Sequence, residues 1–370
     1  MINQARVTQT FLDYVQIDSE THFEREMTAR LVADLEALGL PVTTDEAGKA
    51  AGSDGANVYC HLEGDPNSDC ILFSAHMDTV TPGKGVRPQI RDGYIYSDGT
   101  TILGADDKSG IAAILEALRT LLESGVPHRP MDILFTIREE GGLNGSANVD
   151  YGRLKAKYGV VLDASNDVGK IVSSAPGQIR IYADIYGRKA HAGSDPEKGV
   201  SAIQAAAVAV SRMRLQRIDE ETTANIGTLS CVGETNVVQD HVTFAAETRS
   251  KSPEKRKAQA AHMVACLQEA CDALGARLEY RLHHSYQSYG FPDDHPHVRR
   301  LMDACRRAGV EPWTTYTGGG TDGNNFNAHG IETVVLACGM EHEHTTQERI
   351  AIRNLADASQ VVYQLMLPDA

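Results

Sequence analysis

Long apolar runs are missing from this 370-residue chain. No stretch approaches the roughly 18 consecutive apolar residues that a bilayer-spanning helix needs, and the opening MINQARVTQTFLDYVQIDSE holds no apolar core of signal-peptide length. The expectation is a cytoplasmic protein. Positive charge is scarce as well: 35 Lys and Arg face 50 Asp and Glu, a formal net charge of -15. That balance argues against nucleic acid or an anionic membrane as the main partner, because both are bound through basic patches, and leaves small or peptide substrates open. Cysteine is sparse and has no pairing pattern. Seven residues (Cys60, Cys70, Cys231, Cys266, Cys271, Cys305, Cys338) give an odd count without a C-x-x-C, and three lie in or beside apolar strand runs. They are expected to be buried free thiols, not disulfides or thiolate metal ligands. Internal repeats and low-complexity tracts are absent too.

With 42% hydrophobic and 23% charged residues, the chain has enough apolar content for a full α/β core and a second domain. Residues 70–75 (CILFSA), 131–137 (MDILFTI), 158–162 (YGVVL) and 332–338 (ETVVLAC) are short unbroken apolar runs. Such runs suit strands of a parallel sheet covered on both faces. Thr21 is placed to cap a helix on which Phe23, Met27, Leu31 and Leu35 recur at intervals of four, with Gly39 and Pro41 as stop signals. Residues 109–123 repeat that pattern before Gly125, so Asp106 and Asp107 precede a helix N-terminus. Residues 90–103 suggest a hairpin with Asp-Gly turns.

From about Gln178 the texture changes. Strand 179–186, helix 199–215, strands 225–231 and 241–249, helix 253–274 and strand 277–283 follow in the order β-α-β-β-α-β, a ferredoxin-type unit. The expected fold is therefore α/β: a mixed, mostly parallel sheet with helices on both faces, interrupted by an inserted α+β ferredoxin-like domain. The boundaries are 1–175 with 291–370 for the larger domain and 176–290 for the insert.

Chemistry-bearing residues gather where the apolar runs end, and in open α/β sheets ligands sit beyond the carboxyl ends of the strands. His76 follows the first run, Glu139 and Glu140 the second, Asp163 closes the third, and His344 lies just past the fourth. With Asp78 and Asp106 they form a set suited to two metal ions. In His76-Met77-Asp78 the acid is near enough to accept the free ring N–H and fix the tautomer that ligates. Asp106 and Asp107 share a turn, where one can cap the helix and the other can bridge two cations. Adjacent Glu139 and Glu140 repel unless a cation is near, and their side chains diverge, so that one can ligate while the other faces a water as general base. Asp163 is costly to bury without a partner. His342 shares the acidic loop of His344.

The motifs SAHMDT, LGADDKSG, REEGG, VLDAS, GRKAHAG, GGGTDGN and HTTQE occur in an order that spans essentially the whole chain. In that order they resemble the co-catalytic zinc metallopeptidase clan of aminotripeptidase T, carboxypeptidase G and the acylamino-acid deacylases, most closely the peptidase T-like branch. The resemblance implies a zinc-exopeptidase-like catalytic domain and a lid domain that also dimerises. It further implies two Zn2+ per subunit, with Mn2+ or Co2+ as substitutes. His76, Asp106 and Asp163 would hold one ion, and Asp106, Glu140 and His344 the other, with Asp106 bridging and a cis peptide after it. Asp78 would orient His76, and Glu139 would be the general base. His191 would reach across a homodimer to the reacting carbonyl, and Asn236 and Arg249 would meet the substrate carboxylate. The implied reaction is hydrolysis of short peptides, of aminopeptidase or tripeptidase type. A deacylase or carboxypeptidase acting on N-acyl amino acids, and a non-catalytic metal- or peptide-binding protein, are the alternatives. One departure stands out: Gly318 occupies the position ahead of G-G-T-D-G where tripeptidases of the clan carry Arg.

Overall fold

The computed structural model describes residues 1–368. The chain divides into two compact units, Met1–Ser174 with Phe291–Thr317 and Thr321–Ala370, and Ala175–Gly290 with Gly318–Gly320.

The larger unit is built on a mixed sheet. Its strands run in the order Val42–Thr44, Val58–Leu62, Met131–Thr136, Ile71–His76, Tyr158–Ala164, Glu332–Ala337 and Lys170–Ala175, with Trp313–Tyr316 beside the last. The four runs expected from the sequence form its parallel centre, and antiparallel pairing enters on either side of them. All residues of Ile71–His76 and Met131–Thr136 are buried. The continuous apolar run has a simple cause, because alternate side chains serve different cores. Ile71, Phe73, Ile133, Phe135, Val160 and Val334 pack with Met27, Leu31, Leu35, Ile111, Leu115 and Val361. Leu72, Leu134, Val161 and Val335 pack with Phe326 and Ile331. Each fully buried side chain of this size contributes about 1.5–3 kcal/mol, so the sheet is a firm platform for whatever its carboxyl rim carries.

Helix Arg25–Ala37 buries Met27, Leu31 and Leu35 as the spacing predicts. Its N-cap is Glu24, however, and Phe23 is 57% exposed. Thr21 does not cap it, because its hydroxyl donates to Asp78 instead. The regular part of helix Ala105–Ser124 begins after Asp106 and Asp107, whose backbone angles are not helical, and ends at Gly125. The expected hairpin is Gln89–Arg91 with Tyr94–Tyr96. Asp92 and Gly93 both take positive φ at its turn, as a tight two-residue loop requires. Residues beyond Tyr96 leave that ladder, and the other edge of Tyr94–Tyr96 pairs with Arg349–Ala351, itself paired with Met340–Glu341. This small sheet fixes both ends of the loop that carries His344.

In the second unit five strands lie in the order Gln216–Arg217, Thr222–Ser230, His241–Ser250, Gly177–Tyr186, Arg277–Tyr286, all antiparallel. Helices Ala202–Arg212 and Pro253–Leu274 start at the side-chain caps Ser201 and Ser252. Ala205, Ala209, Met263 and Leu267 meet Ile179, Ile181, Ile185 and Phe244 on one face of that sheet. All seven cysteines are free, and six are buried. Among the described residues no helix is long and apolar enough to cross a membrane.

Candidate metal centre

His76 is the last residue of its strand and is 2% exposed. Its Nδ1 lies 2.9 Å from the backbone carbonyl oxygen of Asp78. A carbonyl only accepts, so Nδ1 carries a proton and Nε2 is the nitrogen that faces the site, where a cation would take the place of its proton. The Asp78 carboxylate, expected to take that N–H, is 3.6 Å away. It accepts instead from the Thr21 hydroxyl at 2.7 Å and from the Glu139 N–H at 2.8 Å. Those two donors turn the carboxylate away from the ring, and the carbonyl of the same residue does the orienting. Asp78 thereby ties the turn that carries Glu139 to the turn after His76.

Asp106 stands between two imidazoles. Its Oδ1 is 3.0 Å from His76 Nε2, and its Oδ2 is 3.2 Å from His344 Nε2. Glu140 Oε1 lies 2.8 Å from that same His344 nitrogen, and Asp163 Oδ1 lies 3.7 Å from His76 Nε2. Ligand atoms of His76, Asp106 and Glu140 fall within 4.8 Å of one another, as do those of His76, Asp107 and Asp163. The Asp106–Asp107 peptide is cis. The Asp107 carboxylate accepts the N–H groups of Gly110 at 3.2 Å and His76 at 3.3 Å. Two backbone donors make it the capping member of the pair, which leaves Asp106 to reach outward.

Glu139 and Glu140 follow strand Met131–Thr136 through Arg138, at φ 51, and Gly142, at φ 108, turns the chain back under them. The N–H groups of Gly142 and Leu143 both donate to the Glu139 carbonyl at 2.8 Å. Glu139 is 8% exposed. His342 stands apart from these groups and lines a cavity of about 320 Å3 with Tyr96, Asp98 and Arg349.

The electrostatics describe a crowded acidic pocket. Burial pushes the Glu139 carboxyl well above the usual range, and the charges of Asp163, Asp322 and Glu140 add to it. Burial likewise raises Asp163 to about 7 against the opposing pull of His76. Burial works against charge on His76, yet Asp106, Asp163 and Asp78 outweigh it and raise its pKa. Asp106 and Glu140 raise His344 to about 11. Burial opposes ionisation of Asp106, but His344 and His76 hold it below the ordinary carboxylate range. Imidazolium protons are thus the positive charge that balances these acids, and cations would displace them on binding. The buried Oε1 of Glu140 has no donor in hydrogen-bonding geometry despite its closeness to His344. Two imidazoles, several carboxylates and an unsatisfied buried oxygen fit divalent metal ions.

Strand-end reasoning passed over two further acids. Asp322 accepts from Thr136 Oγ1 and Ser146 Oγ, each at 2.5 Å. Glu348 binds the turn that holds Asp106. Both lie in the quoted motifs GGGTDGN and HTTQE, and that was their only signal.

In the second unit His191 is exposed, and its Nδ1 accepts the N–H groups of Gly193 at 3.1 Å and Ser194 at 3.0 Å. In the neutral ring this puts the proton on Nε2. The Asn236 carbonyl accepts from Ala192 N–H at 2.9 Å, and strand Val237–Val238 pairs with Ala190–His191. Arg249 is ion-paired with Glu247 at 2.7 Å and donates to the Gly318 carbonyl at 3.2 Å.

Residues 72–367 match the model of peptidase family M20/M25/M40. The chain is 43% identical to the aminopeptidase PepT of Bacillus cereus ATCC 10987, with a TM-score of 0.91, covering 99% of this chain and 98% of that one. A tripeptidase of Staphylococcus aureus superposes with a TM-score of 0.94 at 42% identity and the same coverage. The YqjE protein of Bacillus subtilis (strain 168) is 42% identical over 99% of both chains. The chain belongs to peptidase family M20/M25/M40, within its peptidase T-like branch, and is a peptidase.

Proposed function

We propose that the protein is a two-metal peptidase that cleaves short peptides in the manner of an aminopeptidase or tripeptidase. The observation that carries this reading is the placement of Asp106, whose two oxygens face two different imidazoles. His76, Asp106 and Asp163 would hold one cation, and Asp106, Glu140 and His344 the other. Zinc suits the mixed His and carboxylate set, and manganese or cobalt suits it too. The chemistry such cations supply is a lowered pKa for the attacking water and polarisation of the scissile carbonyl. Glu139 takes the water proton and returns it to the leaving nitrogen. Asp78 holds the Glu139 backbone in place.

The larger unit is then the catalytic domain, and the second is a lid that also dimerises. In that arrangement the Nε2–H of His191 from the opposite subunit donates to the reacting carbonyl, while Asn236 and Arg249 receive the substrate carboxylate. His191→Ala is expected to lower turnover about 10²–10³-fold, the usual cost of one oxyanion donor, with metal content unchanged. Unaltered turnover, or a fully active monomer by light scattering, counts against it.

A panel of free di- and tripeptides, amino-blocked peptides and N-acyl amino acids tests the substrate class. Hydrolysis of free tripeptides with release of the first residue is the expected result. Exclusive cleavage of N-acyl amino acids would make the protein a deacylase, and no turnover of any member by metal-loaded protein would make it a binding protein. The similarity to the aminopeptidase of Bacillus cereus and the tripeptidase of Staphylococcus aureus supports the first outcome.

A further inference from the structure

Glu348 closes the HTTQE motif, yet none of the roles above uses it. The side chain is buried, and both carboxylate oxygens are engaged by backbone. Oε2 accepts the N–H groups of Leu103 and Gly104, each at 2.7 Å, and Oε1 accepts the N–H of Asp106 at 2.9 Å. All three donors belong to the turn that presents Asp106, 242 residues away in the chain. Glu348 is itself anchored on the other ligand loop, where its own N–H donates to the Thr345 carbonyl at 3.1 Å, one residue past His344. The two loops meet where Asp106 Oδ2 and His344 Nε2 stand 3.2 Å apart.

We propose that Glu348 is a positioning residue of the metal centre, a single carboxylate that ties the Asp106 turn to the His344 loop and so sets the separation of the bridging ligand from the outer imidazole. This rests on the two-metal reading above. The residue type matters. A carboxylate accepts at both oxygens, and charge strengthens each bond. A glutamine of the same shape must point its NH2 group at Asp106 N–H or at the Leu103 and Gly104 pair, donor against donor. Either choice shifts one ligand-bearing loop while leaving the sheet and its cores untouched. Gly104, at φ 79, has a conformation that few other residues would hold.

The test is zinc titration against a competing chelator on metal-stripped wild-type protein and Glu348→Gln, both as the full chain, with the Tm of each metal-free protein. Zinc affinity is expected to weaken about 10–100-fold, the typical cost of losing an orienting partner of a ligand. Turnover at limiting zinc should fall and recover in excess zinc. Wild-type zinc affinity in Glu348→Gln, with only a lowered Tm, would reduce Glu348 to a structural anchor and overturn the proposal. Failure of the wild-type protein to bind a pair of ions would sink the two-metal reading instead. Amide hydrogen exchange on wild-type protein keeps the clamp itself testable if the variant does not fold. Leu103, Gly104 and Asp106 should exchange as slowly as the central strands, and rapid exchange at all three overturns it.

Discussion

Glu139→Gln is expected to lower turnover about 10²–10⁴-fold, the range for loss of a positioned general base, while leaving both metal ions bound. The separation of the two effects follows from geometry. His76, Asp106, Glu140, Asp163 and His344 approach one another through their side chains, whereas the fixed contact of Glu139 is its backbone N–H on Asp78. An amide of the same size keeps that backbone contact and fills the same buried space, but it cannot accept a proton from water. Metal analysis beside initial rates decides the matter: near-normal rates remove Glu139 from the mechanism, and lost metal reassigns it as a ligand.

Asp106→Asn should do the reverse, abolishing tight binding of both cations and reducing hydrolysis to background. Both oxygens of Asp106 are committed, one toward each imidazole. Asparagine offers one oxygen and no charge, so at least one half of the site loses its anion and the other is weakened. Glu140→Gln serves as the control, since Glu140 stands 2.8 Å from the His344 nitrogen and would serve that half of the site, and it is expected to cost one ion. Elemental analysis after dialysis reads both variants. If Asp106→Asn keeps two ions per chain and wild-type rates, Asp106 does not bridge. If both variants lose a single ion, the two halves are independent.

The sequence made the centre of the sheet legible because strands buried on both faces have no polar side, and 70–75, 131–137, 158–162 and 332–338 therefore stood out as unbroken apolar runs. Strands without that signature were passed over. Lys170–Ala175 (KIVSSA) and Trp313–Tyr316 (WTTY) are short and mixed in character, and they are strands because neighbours pair with them. Helix Asp322–Ala328 (DGNNFNA) has little intrinsic propensity. Its capping box at Thr321 and Asn324, with Phe326 buried among sheet residues, holds it. Thr21 shows local chemistry losing to tertiary contact, since its hydroxyl serves an acid 57 residues away in place of the helix behind it.

Much the same division runs through the site. Strand ends announced His76, Glu139, Glu140 and Asp163, because a covered parallel sheet delivers its chemistry at one rim. Spacing left open which acid of the Asp106 and Asp107 pair faces outward, and only the motif resemblance pointed to Asp106, because the choice depends on the Gly110 and His76 N–H groups that claim Asp107. The spacing of His76 and Asp78 suggested a carboxylate partner for the ring. The backbone carbonyl of Asp78 took that place because Thr21 and Glu139 had already engaged the acid.

The side chain of His344 is 51% exposed, whereas that of His76 is 2% exposed and that of Asp163 is 10% exposed. The imidazole of one proposed half therefore opens to solvent far more than that of the other, and on the two-metal reading a cation beside His344 would exchange with the medium sooner than its companion beside His76. A purified sample would then become a blend of singly and doubly loaded molecules, and specific activities from different preparations would be comparable only with ions per chain counted in each.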